Sequence, residues 1–280
     1  MDREILERKF GEIGARVRFG TFDEEELRRR RSDVPEHIPI RVDVRSDKKG
    51  EFFQIDTSEG SDLEIIVPSL EKKDRLLLLM ILERARAGEK PMRFLCGHDE
   101  RHYFAAAVPE RSGASSVYEA MEALKPESVL EAQADVKRKY RQKRHKKSKN
   151  PVLRQGEWFF VPADITPPEL DIIKDEPISR GAGKPHTCEF IYRIGGETVY
   201  VCDLYPEGLT EEEYKKLIAD RNYPNAKNLR WATMERDAQV YAKGRVTHPD
   251  HATLHLDTWH RVLPNTESQA RSMRFLTFLD

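Results

Sequence analysis

The chain has only three cysteines in 280 residues, Cys96, Cys188 and Cys202. They are too few and too scattered to frame a disulfide scaffold, so the expectation is reduced thiols in a cytosolic setting. Long apolar runs are also missing. The longest, LLLLMIL at 76–82, falls far short of the roughly 20 residues that cross a bilayer. The opening MDREILERKF lacks the apolar core of a secretory signal. These absences predict a cytoplasmic protein with no membrane partner. No internal repeat is visible, and the charge is nearly balanced at −1.

That balance conceals one strongly basic segment. Residues 137–149 read KRKYRQKRHKKSK and carry nine Lys or Arg, so the rest of a chain of net charge −1 holds −10. Like charges packed this tightly repel one another and resist burial, which leaves a solvated arm or helix able to meet a polyanion such as nucleic acid. The candidate contacts are Lys137, Arg138, Lys139, Arg141, Lys143, Arg144, Lys146, Lys147 and Lys149, with Tyr140 as a ring able to stack on an unpaired base. Phosphate contacts of this kind anchor without reading sequence, and RNA and DNA are not distinguished. A charged, soluble linker is the alternative, as is an acidic protein partner.

The hydrophobic content of 38% is enough for real cores, and the basic segment divides the chain near its middle. The expected organisation is an N-terminal β-rich domain with a helical start over 1–112, a helical and basic connector over 113–150, and a C-terminal β-rich domain over 151–280. Helix is expected in ILERKFGEIGARV and again in DEEELRRRR, with Asp23 as N-cap. From residue 38 the pattern becomes that of strands. IPIRVDVR alternates apolar and polar residues, and DLEIIVPSL, RLLLLMIL, MRFLCG and HYFAAAVP follow it. In the second half CEFIYRIGGETVYVCDLYP is expected to form a hairpin around Gly195 and Gly196. LTEEEYKKLIADRN is expected to form a helix capped by Thr210. The fold class is α+β, strand-rich in both halves, with antiparallel sheets or small barrels.

Histidines concentrate in the second half. In GKPHTCEF, His186 and Cys188 stand two apart and so share one face of a strand. In THPDH, His248 and His251 flank a turn-like Pro249–Asp250 pair. Together these four make an N₃S set suited to zinc: four protein ligands would make a structural site, and three would leave a position for a reactive water. Asp250 is the candidate base, a fourth ligand or an orienting carboxylate. His255 and His260 read as strand residues beside Trp259. The cluster FLCGHDERHYF, with Cys96, His98 and His102, reads as a polar turn with the bend at Gly97 and Cys96 packed inside.

The order RQGEWFFVP, GKPHTC and VTHPDHATLHL resembles a group of short uncharacterised bacterial and phage proteins. Those open with an Arg-Gln-Gly-Asp strand and carry a Gly-His-x-His pair and a His-x-x-His pair. The resemblance covers about residues 151–267, with a helical insertion near 206–237, and departs at Glu157 and at Cys188, where a second histidine would fall. It implies ligand roles for His186, Cys188, His248 and His251 but no reaction. Two functions follow as expectations. One is a nucleic-acid-associated binding or accessory protein with a metal-organised C-terminal domain. The other is a metal-dependent hydrolase or nuclease using a His/Cys/Asp site. A protein-binding component of a larger complex is a third.

Overall fold

The computed structural model describes residues 2–25, 37–86, 88, 90–142, 152–179, 184–220, 222–270 and 276–277. Among these residues the chain forms four α-helices and seventeen strands in an α+β arrangement of four open sheets. Strand content thus dominates both halves, as expected, and none of the sheets closes into a barrel.

The first half begins with α1 (Arg3–Glu12), capped by Asp2, whose carboxylate accepts from Ile5 N. It buries Leu6 and Phe10. The helix expected to run through Val17 ends at Glu12, and Val17–Phe22 is strand β1, which pairs in parallel with the later strand Gly50–Ser58. The second expected helix lies from residue 26 onward outside the described residues, although Asp23 does accept from Glu25 N. β2 (Ile40–Asp47) and β3 (Gly50–Ser58) form an antiparallel hairpin. β4 (Leu63–Glu71), β5 (Leu76–Glu83), β6 (Met92–Asp99) and β7 (His102–Ala107) form a four-stranded antiparallel meander.

The run LLLLMIL is β5, and its lack of alternation has a simple cause. Leu77, Leu79 and Ile81 face the core shared with α1, β2 and β3, whereas Leu76 and Leu78 face a second core built with α2 (Val117–Ala123). Pro126 separates α2 from α3 (Glu127–Gln142), as its ring predicts. Val129 of α3 packs on Val152 and Phe159, which joins the connector to the second half. Residues 137–142 of the basic run lie on the last turns of α3, and 143–149 lie outside the described residues.

The second half is built on a six-stranded sheet. Its members are β8 (Leu153–Gln155), β9 (Trp158–Pro162), β10 (Ile173–Ile178), β11 (His186–Ile194), β15 (Gln239–Thr247) and β16 (Leu254–Pro264), in the order β10-β11-β15-β16-β9-β8. Its core joins residues from near both edges, Ile178 on β10 and Trp158 on β9, so the sheet is strongly coiled. The expected hairpin at Gly195–Gly196 does not form. The ribbon of β11 and β15 runs on as a second ribbon of β12 (Glu197–Cys202) and β14 (Ala232–Arg236): Ile194 pairs with Gln239, and Glu197 pairs with Arg236. The two glycines mark a bend in that ribbon. A Cβ on Gly196 would sit 2.9 Å from the Arg236 carbonyl, so only glycine lets the strands approach there.

Beyond the bend, β13 (Tyr205–Thr210) and α4 (Glu211–Ala219) complete a small three-stranded layer. The reciprocal Thr210–Glu213 capping box starts α4 where the sequence places it. The chain then returns to the first half, where Ala270 joins the core of α1 and β2, and β17 (Leu276–Thr277) pairs in parallel with β2.

Candidate metal centre

The antiparallel register of β11 and β15 sets Thr187 opposite Thr247. One residue further out on each strand are His186 and His248, and their rings stack with centroids 4.2 Å apart. His251 follows three residues later in the β15–β16 loop. Its ring lies 5.7 Å from that of His186 and 4.7 Å from that of His248. Each ring offers a nitrogen, and these three atoms lie within 4.8 Å of one another. Three of the four ligands expected from the sequence therefore converge.

Cys188 does not join them. It is fully buried in the apolar core with Trp158, Ile191 and Val246, and burial pushes its thiol up to about 12. Its face of the strand is the one expected, but two residues of extended chain carry the sulfur away from the strand end where the histidines meet.

His186 is 1% exposed, and both of its ring nitrogens are buried without a hydrogen-bond partner. Buried polar atoms are almost always paired, so two orphans on one imidazole set His186 apart from the other buried residues. Desolvation first, and the neighbouring His248 and His251 next, lower its pKa to about 3, so the ring is neutral with a lone pair to offer. Desolvation and the proximity of His251 also lower the pKa of His248. Its Nε2 lies 3.3 Å from the Lys184 carbonyl, and its Nδ1 accepts from Asp250 N at 3.1 Å. These contacts assign the proton to Nε2 and engage the Nδ1 lone pair with the Asp250 N–H, so His248 exchanges one of the two contacts when it ligates an ion.

Sequence reasoning missed Gly156. It occupies the two-residue turn between β8 and β9 at φ +56, and a Cβ there would lie 3.1 Å from His251 Nε2 and 3.3 Å from His186 Nε2. The missing side chain keeps open the space that these two nitrogens face. Gln155, beside it, donates to the Ala252 carbonyl at 2.6 Å and so holds the histidine loop. The signal for both residues lay in RQGE, where a glycine between two polar residues marks a tight turn.

Comparison of the chain with protein-family models, curated proteins and solved structures finds no match.

The remaining candidates fall outside the cluster. Asp250 accepts from Lys184 Nζ at 2.9 Å, and this contact lowers its pKa. A carboxylate so held is a poor proton acceptor and a good anchor for the loop. His260 is buried with Nδ1 2.7 Å from the Thr258 carbonyl, and His255 is exposed on β16. In the first-half cluster the bend is at Glu100 and Arg101, since Asp99 pairs with His102, and not at Gly97. Gly97 instead lets β5 and β6 pack closely, for a Cβ there would collide with Leu76. Cys96 is packed inside, where burial raises its pKa, and the His98 ring stands edge-on to Tyr103.

Proposed function

We propose that His186, His248 and His251 bind a zinc ion through three nitrogens and that the open fourth position activates water for hydrolysis. The observation that carries this reading is the orphaned, neutral imidazole of His186, stacked on His248 and sharing the space above Gly156 with His251. Neutral nitrogen donors suit zinc, and a three-histidine set leaves room for a water. Zinc supplies a hydroxide near neutral pH by lowering the pKa of that water. The chain's own part is to bring one nitrogen from each of three imidazoles within 4.8 Å of the others. His248 and His251 are partly exposed, which gives a substrate access. The basic segment 137–149 makes nucleic acid the first substrate class to test.

A second reading is favoured by the way the loop is clamped. Ala252 has its carbonyl bound by Gln155 and its N–H bound by Glu100. A loop fixed on both sides suits an ion that organises the second half of a nucleic-acid-binding accessory protein without turning over a substrate. Elemental analysis of wild type and a His186→Ala/His248→Ala variant is the first test. About one zinc per chain, lost in the variant, is expected, and metal-free wild type overturns both readings. Phosphodiester cleavage of RNA or DNA that disappears in folded His248→Ala supports the hydrolase. Zinc with no cleavage supports the accessory protein.

A further inference from the structure

The β6–β7 turn belongs to the first half of the chain, yet three successive residues of it reach the histidine loop. Glu100 Oε2 accepts from Ala252 N at 2.8 Å. Arg101 Nη1 lies 3.5 Å from the Pro249 carbonyl, and His102 Nε2 lies 3.5 Å from Asp250 Oδ1. The turn is itself anchored, because His102 Nδ1 is 2.6 Å from Glu51 Oε1 on β3. Glu100 adopts φ +43, a conformation that glycine would occupy with less strain. A glutamate here gives the turn a carboxylate at the cost of backbone comfort.

The second oxygen of that carboxylate is directed at the cluster. Glu100 Oε1 lies 3.9 Å from His251 Nδ1, a buried nitrogen with no hydrogen-bond partner. The opposite nitrogen of the same ring, Nε2, faces the space above Gly156 beside His186 Nε2. The two ends of the His251 imidazole thus meet different surroundings, a carboxylate on one side and the His186 nitrogen on the other.

We infer that Glu100 is a positioning residue of the metal centre, one that draws the His251 proton to Nδ1 and leaves the Nε2 lone pair for the ion. The inference rests on the metal reading given above. A neutral imidazole carries one N–H, and a carboxylate beside one nitrogen selects the tautomer that points its proton there. Ala252 N–H holds the Glu100 carboxylate through Oε2, which leaves Oε1 as the oxygen on the His251 side. The first half of the chain thereby completes a site whose three ligands all belong to the second.

The test is zinc affinity of the full chain, measured by competition with a chromogenic chelator, for wild type, Glu100→Gln, Glu100→Ala and His186→Ala. The amide of Glu100→Gln retains an acceptor for Ala252 N–H but removes the charge beside His251. It is expected to weaken zinc binding about tenfold, and Glu100→Ala up to about 100-fold. Melting of the metal-free Glu100→Gln protein is expected to match wild type, which a merely structural role for the charge would not predict. The cobalt-substituted spectrum of Glu100→Gln is expected to shift as well. Wild-type affinity in both Glu100 variants, with binding lost in His186→Ala, overturns the inference and leaves the metal reading intact. Absence of zinc binding in the wild type overturns the metal reading itself.

Discussion

A single imidazole shows how burial becomes function. His186 is held neutral by desolvation and by two neighbouring rings, with its pKa lowered to about 3, whereas in the unfolded chain it titrates near 6.5. Between those values the unfolded chain binds more protons than the folded one. Stability from this group is therefore complete above about pH 6.5 and is lost progressively as pH falls toward 3. The shift at His248 acts in the same direction. Metal-free protein is expected to melt at progressively lower temperature from pH 7 to pH 4.5, and His186→Gln is expected to flatten that decline. A variant whose profile runs parallel to the wild type would show that His186 is not its source. Cys188 illustrates the opposite outcome. Its neighbour two residues away becomes a candidate ligand, while the thiol serves as a small apolar core residue.

The elements that matter most to the site are turns. Gly156 combines a left-handed backbone with the absence of a side chain, and the two requirements are separable by experiment. Gly156→Ala costs about 1–2 kcal/mol for the left-handed alanine and also places a methyl group against His186 and His251. Gly113→Ala supplies the control, because Gly113 sits at φ +62 with nothing within 4 Å of its Cβ position. Both variants are expected to lose similar stability by urea denaturation, and only Gly156→Ala is expected to lose zinc. Equal zinc affinity in the two would remove the cradle from the account. The Gly195–Gly196 link makes a related point. Two glycines between strand-like runs are the usual hairpin signal, but here the ribbon's partner strand arrives from residues 232–247, so the pair becomes a bend.

At the scale of the molecule the two halves are laced together in several places. Val129 of α3 packs on Phe159, Thr266 Oγ1 donates to the Ala123 carbonyl at 2.6 Å, and β17 returns to the first-half sheet. The histidine loop is one more of these junctions. The basic segment begins on the last turns of α3 and sets nine positive charges between two halves that are each net negative. If it binds nucleic acid, replacing Lys143, Arg144, Lys146 and Lys147 by alanine should weaken binding to a DNA duplex. The slope of log affinity against log salt should also become shallower by up to about 3–4. Binding with an unchanged slope would assign the interaction to another surface.

The sequence by itself determined most of the local structure, because those choices rest on nearest neighbours. Alternation named β2, the capping box began α4, Pro126 ended a helix, and a continuous apolar run announced a strand buried on both faces. It also placed three histidines among the candidate ligands, since such residues are rare enough to stand out. Tertiary structure alone decided which of them meet. The register of β11 against β15 brings His186 to His248, and the coiling of the sheet returns Gln155 and Gly156 to the same point. Folding of the first half against the loop supplies Glu100 from 152 residues away. No local pattern encodes such approaches, because they depend on where chain segments distant in sequence are carried by sheets whose pairing is itself non-local.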